Sequence, residues 1–389
     1  MDPKDFEDTA TGRCVKAREI ALGEYWAFVP NPLPPQIEYD QTFSQYLSGA
    51  DRMLGELSGT GRVLPNPYFL IAPYIRREAV SSSKIEGTIT SLSDLFLYEA
   101  SEPKKPPVPD VAEVRNYVRA MEYGIQRVKD LPVSTRLIRE IHEILLEGIR
   151  GEGRRPGEIR QRQNWLGTPA CKVTEATYVP PPVREMNEAL TEWERYLHGD
   201  SPEPPLIQCT LMHYQFEAIH PFLDSNGRVG RLMITFFLCE RGFLSQPLLY
   251  LSAFFEKYRG EYYDRLFAVS QKGDWRGWVE FFLQGITTQA QDALSDAKEI
   301  LDLNAKYHRM LDEIKKRPIH TRRLIDEIFL NPIISVGKIS DKWNMDFKSV
   351  QRAVDKLVEV GILEEITGRE RGRIFRAREL HDLLTQKTD

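Results

Sequence analysis

Residues 220–231 read His-Pro-Phe-Leu-Asp-Ser-Asn-Gly-Arg-Val-Gly-Arg, and a strongly apolar segment follows them from Leu232 to Phe237. The apolar segment predicts a buried helix that begins at Asn226, with small residues at 225 and 227 beside its first turn. The first N–H groups of a helix have no partner within the helix and lie at the positive end of its dipole, so they bind anions. The stretch therefore predicts a phosphate-binding turn between two helices.

The side chains of this stretch supply the groups that phosphate chemistry needs. Arg228 and Arg231 are three residues apart, so they share a helix face and can both reach oxygens of a polyphosphate. Asp224 is placed to hold Mg²⁺ against the same phosphates, and His220 can take a proton from an attacking hydroxyl near neutral pH. Any one of these residues alone would be explained more simply as a packed turn or a surface charge. Together they indicate phosphoryl or nucleotidyl transfer.

The stretch resembles the signature of the Fic family, His-x-Phe-x-(Asp/Glu)-Gly-Asn-Gly-Arg-x-x-Arg, and departs from it at Ser225. Serine is small, so we expect the phosphate-binding turn to persist, although its backbone is less free than that of glycine. Other segments are also similar to the family, so the resemblance covers about residues 20–285. These segments are Asn31–Pro35, Gly157–Arg160, Gln163–Gly167, Thr177–Pro180, Leu249–Leu266 and Gly273–Trp275.

The resemblance implies a protein adenylyltransferase that moves AMP from ATP to a Tyr, Thr or Ser hydroxyl of a target protein or of itself. In that reaction His220 would deprotonate the acceptor, Asp224 would carry Mg²⁺ and Arg231 would fix the γ-phosphate. Gly227 favours nucleotidyl transfer, because family members with lysine there resemble phosphotransferases. The residues implied to contact the nucleotide are Glu86, Ser225, Asn226, Gly227, Arg228, Val229, Gly230, Arg231 and, beside the adenine, Tyr263, with Tyr258 and Tyr262 as alternatives.

A target-docking strand is also implied by the resemblance. The residues Thr177, Tyr178 and Val179 would pair with the backbone of the target protein, which positions a hydroxyl without demanding much sequence.

A second motif, Ser82-Ser-Lys-Ile-Glu-Gly87, resembles the inhibitory motif of the family, (Ser/Thr)-x-x-x-Glu-(Gly/Asn). Ser82 and Glu86 are four apart and share a helix face, and Glu86 precedes a glycine cap, where the helix dipole disfavours a carboxylate. We expect Glu86 to pair with Arg231 and so to remove the γ-phosphate contact; the alternative is an exposed glutamate beside an ordinary cap. The resemblance further implies that Glu86 can orient water for the removal of AMP.

The patterning predicts a mainly α protein: a Fic-fold helical bundle with a small β-hairpin flap, followed by a winged helix-turn-helix domain. We divide the chain into an N-terminal region with the inhibitory helix (1–105), a catalytic domain (110–290), and a linker helix with the winged helix (291–389). Residues 1–45 are expected to form an irregular arm, and a short strand or hairpin is expected within residues 151–182.

The C-terminal region leaves DNA binding open. Lys348, Arg352 and Lys356 form a basic stripe on the predicted recognition helix, and the wing segment 369–378 contains five arginines. Yet residues 331–389 carry 11 basic and 10 acidic side chains, a net charge of only +1, which is weak for a DNA-binding domain. A protein–protein module is the alternative.

The composition excludes several classes of protein. The net charge of −5 demands neither nucleic acid nor an anionic membrane, and the four widely spaced cysteines predict no zinc site or disulfide framework. The most apolar stretch is too short to cross a membrane and the N-terminus lacks a signal-peptide core, so we expect a cytoplasmic protein with no membrane partner. The resemblance is compatible with a homodimer. Two alternatives stay open: a transcriptional regulator with a nucleotide-sensing core, and an enzyme that uses another nucleotide donor.

Overall fold

Helices predominate in the computed structural model, which describes residues 1–6, 11–63, 66–101, 108–149, 155–314 and 319–386. The chain forms two compact units, each assembled from separate stretches of sequence. The first comprises Met1–Glu56, Arg119–Leu244 and Phe254–Thr288, and the second comprises Leu57–Val118, Ser245–Ala253 and Gln289–Asp389. The three-domain division made from the sequence stays a prediction.

The helices follow one another along the whole chain. In order they are α1 (Gln41–Val63), α2 (Tyr68–Ile85), α3 (Leu92–Ala100), α4 (Pro109–Arg127), α5 (Thr135–Leu146), α6 (Val183–His198), α7 (Pro205–Ile219), α8 (Asn226–Glu240), α9 (Ser252–Lys257), α10 (Arg259–Lys272), α11 (Trp275–Asp312), α12 (Thr321–Leu330), α13 (Val336–Trp343), α14 (Phe347–Glu359) and α15 (Arg378–Thr385).

Local sequence signals explain where several helices begin and end. The hydroxyl of Ser134 accepts the N–H of Leu137 and caps α5, and Gly199 is the C-cap of α6. Helix α2 ends at Ile85 with Glu86 as its C-cap, and Gly87 follows with a φ of +94°, which only glycine adopts readily. The glycine cap expected there is therefore confirmed.

Helix α7 forms the centre of the first unit. Nearly all of its residues are buried, and indole N–H groups on two neighbouring helices donate to its carbonyl oxygens. Trp193 of α6 donates to Met212 at 3.1 Å, and Trp278 of α11 donates to Thr210 at 3.1 Å. Helix α8 packs beside it, as the predicted pair of helices joined by His220-Pro221-Phe222 requires. The signature stretch is thus the turn between two core helices.

The sequence predicts an irregular arm in residues 1–45, and this prediction is wrong because residues 12–30 form an antiparallel hairpin. Strand β1 (Gly12–Glu19) pairs with β2 (Gly23–Pro30), with Gly12 opposite Pro30 and Glu19 opposite Gly23. The prediction failed because Ile20–Leu22 lack the Asn-Gly or Asp-Gly signal of a tight turn. Aromatic packing supplies the missing stabilisation, since Phe28 and Tyr25 are buried in a cluster with Tyr178 and Val179.

The β-hairpin of the predicted fold class lies at residues 12–30 and not around Thr177–Val179. Within the described part of residues 151–182, the extended structure is a single bridge between Leu166 and Tyr178, with one 3-10 turn at Val173–Glu175. Residues 151–154 lie outside the described part of the chain, as do residues 102–107 of the proline-rich linker. The mainly α class with a small antiparallel hairpin is confirmed.

The C-terminal elements follow the predicted order of helix, turn, helix and two short strands. Helices α13 and α14 precede β4 (Glu364–Glu365) and β5 (Ile374–Arg376). A further strand, β3 (Ile333–Ser335), completes an antiparallel sheet of order β3-β5-β4. The linker helix predicted from residue 291 starts earlier in the structure, because α11 already begins at Trp275. None of the described helices combines the length and the apolar character needed to cross a bilayer.

Candidate active site

His220 ends helix α7 in a left-handed conformation, with φ +51° and ψ +60°. This conformation costs a residue other than glycine about 1–2 kcal/mol, so surrounding contacts must hold it. The ring Nδ1 lies 3.2 Å from the carbonyl oxygen of Glu217. A carbonyl oxygen can only accept, so Nδ1 carries a proton. In the neutral form of the ring the lone pair is then on Nε2, which is the nitrogen that can act as a base.

The loop after His220 is held by the segment 160–164. Arg160 Nε and Asn164 Nδ2 donate to the carbonyl oxygen of His220 at 3.0 and 3.2 Å. The main-chain N–H of Arg160 donates to Pro221 at 2.9 Å, and Asn164 Nδ2 also donates to Phe222 at 2.8 Å. Three consecutive carbonyl groups are therefore bonded to one neighbouring segment.

The side chain of Asn226 closes the loop from the other side. Its Oδ1 accepts the N–H of Phe222 at 2.8 Å and its Nδ2 donates to the carbonyl oxygen of Phe222 at 2.8 Å. The amide group was expected to contact phosphate, but both of its ends bond the main chain. Asn226 thus shapes the loop with its side chain, and only its main-chain N–H is placed to meet a phosphate.

The backbone conformation at Ser225 is one that favours glycine, the residue that the Fic signature has at this position. Ser225 precedes α8 with a φ of +63°, in the left-handed region that glycine enters without cost. Its hydroxyl accepts a hydrogen bond from Arg228 Nη2 at 2.8 Å, which offsets part of that cost. The departure at Ser225 therefore preserves the predicted backbone geometry.

The N-terminal turn of α8 provides the anion site that the sequence predicts. The first bond of the helix ladder joins the N–H of Val229 to the carbonyl oxygen of Ser225 at 3.0 Å. The N–H groups of Asn226, Gly227 and Arg228 precede that bond and point out of the helix end. This turn therefore has the three N–H groups that the predicted phosphate site requires, and phosphate binding itself stays a prediction.

Val229 and Gly230 are packed among the core helices, and their expected contact with the nucleotide stays a prediction. Val229 is fully buried in the core, and its N–H is used within the helix. A Cβ atom at Gly230 would lie 2.2 Å from Oε1 of Glu217 and 3.2 Å from Cε1 of His213. Any larger residue at 230 would therefore require the Glu217 side chain and the His213 ring of α7 to shift.

Arg228 and Arg231 both lie on α8 and are 4% and 2% exposed. Guanidinium groups buried to this extent lose their hydration, which is offset only by hydrogen bonds or negative charge nearby. Arg228 lies 3.9 Å from the carboxylate of Asp224 in addition to its bond with Ser225. The two arginines concentrate positive charge beside the anion site.

Asp224 fits the role of a magnesium ligand. One oxygen, Oδ1, accepts the N–H of Ser225 at 2.6 Å, and the side chain is 35% exposed. The described residues contain no cluster of three or more potential metal ligands. Mg²⁺ does not need one, because it is commonly held by one or two carboxylates together with substrate phosphates.

His142 is a site residue that the sequence analysis missed. Its Nδ1 accepts the N–H of Gly157 at 2.9 Å, its Nε2 lies 3.2 Å from the carbonyl oxygen of Asp224, and its ring stacks on Phe222 at 3.9 Å. Burial lowers the pKa of His142 to about 4, so the ring is neutral with its proton on Nε2. Its helical position in α5 resembles any core residue, and no sequence signal separates it from one.

The candidate adenine residues divide into one core residue and two exposed ones. Tyr262 is buried, donates to or accepts from His213 Nε2 at 2.9 Å and stacks on Phe255. Tyr258 and Tyr263 are 40% and 42% exposed, and the guanidinium of Arg259 lies 6.0 Å from the ring of Tyr263. Tyr263 thus stays available for stacking, whereas Tyr262 is a packing residue.

Two of the three residues of the expected docking strand have buried side chains, and the docking role of the strand stays a prediction. The side chains of Tyr178 and Val179 are buried, and Tyr178 donates its hydroxyl to Ala218 at 2.9 Å. The main chain of Tyr178 exchanges hydrogen bonds with Leu166, and the carbonyl oxygen of Val179 accepts from Phe28 at 2.9 Å. Of the three residues, Thr177 is the one whose side chain is exposed.

The inhibitory motif lies at the end of α2 in the second unit. Ser82 is fully buried, whereas Glu86 is exposed and its N–H donates to Ser83 at 3.1 Å. The predicted pairing of Glu86 with Arg231 stays a prediction.

Comparison with protein-family models matches two adjacent segments of the chain. Residues 44–126 match the Fic/DOC family N-terminal model, and residues 132–238 match the Fic/DOC family model. The second match contains the whole signature stretch and the residues that hold its loop, and the first contains the inhibitory motif.

Individual relatives agree with these matches. The protein adenylyltransferase Fic of Drosophila ananassae is 29% identical over 166 residues, which is 42% of this chain and 30% of that protein. The Drosophila melanogaster protein of the same name is 28% identical over the same length. The chain therefore spans about a third of the length of the curated relatives it matches. A Fic family protein from Desulfovibrio desulfuricans G20 has the same fold, with a TM-score of 0.56 at 18% identity over 89% of this chain and 98% of that one.

Proposed function

Because the chain belongs to the Fic/DOC family, we propose that it is a nucleotidyltransferase that moves AMP from ATP to a hydroxyl group of a protein. The observation that carries the proposal is the turn between α7 and α8. It brings a histidine base, one partly exposed carboxylate, three helix-end N–H groups and two buried arginines into twelve residues. The relatives named protein adenylyltransferase support the same reaction.

In the proposed reaction the acceptor hydroxyl gives its proton to Nε2 of His220. The hydroxyl oxygen then forms a bond to the α-phosphorus of ATP as the bond from that phosphorus to the bridging oxygen breaks, and pyrophosphate leaves. The N-terminal turn of α8, Arg228 and Arg231 bind the phosphates and balance the charge on the leaving group. Asp224 would hold Mg²⁺, which when bound neutralises phosphate charge.

We further propose that Glu86 restrains this reaction. The carboxylate follows the last turn of α2, where the helix dipole disfavours negative charge, so an arginine is a favourable partner. Pairing with Arg231 would compete with the γ-phosphate and leave ATP bound unproductively. The acceptor protein and the choice of ATP over other nucleotides are part of the same proposal.

The test is transfer of label from α-labelled and, separately, γ-labelled ATP to protein in the presence of Mg²⁺. It compares the wild type with Glu86→Gly, His220→Ala and the double variant. We expect α-label on protein with Glu86→Gly, at least about tenfold above wild type, and none above background with His220→Ala, since a positioned general base contributes about 10²–10⁴-fold.

Each contrary result rejects a different part of the proposal. Transfer of γ-label would show phosphoryl transfer, and equal transfer by wild type and Glu86→Gly would remove the restraint. Competition by unlabelled UTP or GTP stronger than by ATP would reassign the donor. No transfer of either label by any variant would reject the reaction itself.

A further inference from the structure

The main chain around His220 is bonded by a group that no signature residue supplies. Arg160 is 1% exposed, and its guanidinium joins the carbonyl oxygen of His220 at 3.0 Å to that of Pro181 at 2.5 Å. A third bond reaches the carbonyl oxygen of Arg162 at 3.4 Å. Arg160 therefore connects the catalytic loop to the end of the segment that carries Thr177–Val179.

The burial of this cation is costly. Desolvation lowers the pKa of Arg160 to about 10, and the smaller opposing effects of Tyr25, Glu19 and Tyr178 do not offset it. Neutral carbonyl oxygens repay only part of the lost hydration of a guanidinium group. A charged side chain in this position is hard to explain by folding stability alone.

A second side chain acts on the same carbonyl group. Asn164 Nδ2 donates to His220 at 3.2 Å and to Phe222 at 2.8 Å. A carbonyl oxygen has two lone pairs, so Arg160 and Asn164 together fill both acceptor positions of His220. These bonds fix the peptide plane that follows the left-handed residue, and hence the direction in which its side chain leaves the backbone.

We propose that Arg160 and Asn164 are positioning residues for the base. They hold His220 at φ +51°, which keeps Nδ1 against the carbonyl oxygen of Glu217 and directs the lone pair of Nε2 to the acceptor hydroxyl. Neither residue belongs to the anion site, so neither is needed to bind the nucleotide. The inference rests on the proposed function, because it assigns a catalytic task to His220.

Steady-state kinetics of label transfer test the proposal in the Glu86→Gly protein. We expect Arg160→Lys and Asn164→Asp to lower kcat by about 10²-fold, the loss typical of a reacting group misplaced by about 1 Å, while KM for ATP changes less than about twofold. Lysine keeps the charge but cannot bond two carbonyl groups in the same fixed geometry, so it does not rescue kcat. Arg184→Gln, at an exposed arginine of α6 that pairs with Glu188, is the matched control with unchanged kcat.

A readout without turnover separates this inference from the proposed reaction. Long-range ¹H–¹⁵N spectra of histidine-labelled protein, with His220 assigned by its loss in His220→Ala, report which ring nitrogen carries the proton. We expect the Nδ1–H form in the parent and a mixture of both forms in Arg160→Lys and in Asn164→Asp, and the fold of each variant is checked by its melting temperature.

The outcomes distinguish the two claims. An unchanged tautomer in both variants, or a kcat equal to that of the parent, overturns the positioning role. A parent that transfers no AMP rejects the reaction, and the tautomer shift then still decides whether Arg160 and Asn164 set the ring. A parallel loss of kcat and nucleotide affinity would make the two residues structural.

Discussion

At the scale of single residues, His142 makes the stability of the active-site region depend on pH. Its ring is neutral and fully used, with Gly157 bonded to Nδ1 and the carbonyl group of Asp224 next to Nε2. The pKa is about 4 in the folded protein and about 6.5 in an unfolded chain. Between these values the unfolded chain binds a proton that the folded protein does not. Stability therefore falls as the pH drops from about 6.5 to 4 and levels off below that.

We expect His142→Gln to remove this dependence, because an amide can donate to Asp224 without titrating. The free energy of unfolding of the wild type should fall by about 3 kcal/mol more than that of the variant across this window. His213, whose pKa burial lowers to about 3, adds a similar loss that remains in both proteins. The measurement is urea unfolding at several pH values. His198→Gln, at an exposed histidine, should keep the wild-type slope, and a wild-type slope in His142→Gln contradicts the assignment.

At the scale of elements, two adjacent charged residues anchor helix α2. Arg77 is buried, pairs with Asp296 of α11, and donates to the carbonyl oxygens of Leu384 and Leu383 at 2.9 and 3.0 Å. Glu78 accepts the hydroxyl of Tyr117 at 3.0 Å and bonds Ser252. The anchors lie one to two turns before Ser82, so they fix the part of the helix that leads to the inhibitory motif.

We expect Arg77→Met to lower the free energy of unfolding by about 3–5 kcal/mol, because it leaves the Asp296 carboxylate buried without its cation. The double variant Arg77→Met/Asp296→Asn should be more stable than Arg77→Met alone, since the second change removes that charge. Lys306→Met, which breaks the exposed pair with Glu379, should cost at most about 1 kcal/mol. Equal losses for the two pairs in urea titrations would show that Arg77 acts by packing only.

Individual helices and strands also differ in how well the sequence predicts them. Helices α5, α6 and α8 follow from apolar periodicity and from end signals at Ser134, Gly199 and Asn226, because those signals act within one or two turns. The β1–β2 hairpin does not, because it depends on packing against Tyr178, about 150 residues away in the chain. Long-range packing of this kind leaves no local periodicity to detect.

The residues of the candidate site likewise divide into those that can be predicted from the sequence and those that cannot. The anion site, Asp224 and His220 come from one contiguous stretch and are visible in it. The supporting residues Arg160 and His142 are distant in sequence, and their hydrogen bonds to the loop go to main-chain carbonyl groups, which every residue possesses. A side chain that bonds the backbone therefore gives no pairing signal in a single sequence.

At the scale of the whole molecule, charge argues against tight binding of DNA. Much of the predicted basic surface is already neutralised within the C-terminal elements: Lys356 pairs with Glu359, and Arg376 pairs with Glu364. Arg369 and Arg371 of the wing remain exposed in a chain with a net charge of −5. Few phosphate contacts give weak, salt-sensitive binding.

We expect the full chain to show only non-specific binding to duplex DNA, with a Kd of about 10⁻⁶ M or weaker at physiological salt. Fluorescence anisotropy at several salt concentrations measures this. Sequence-specific nanomolar binding that is lost in Arg369→Glu/Arg371→Glu would contradict the expectation and make the C-terminal elements a DNA reader.

The anchor at Arg77 also sets an order of events during synthesis. Its bond to Leu384 joins residues 307 positions apart, and ribosomes add about 5–20 residues per second. Helix α2 thus leaves the ribosome roughly 15–60 s before its final partner is made. The α7–α8 turn is also made before residue 384. From then until residue 384 is added, the nascent chain contains this turn together with an α2 that lacks its last anchor. The helix that bears Ser82 and Glu86 is locked in place only after residue 384 has been added.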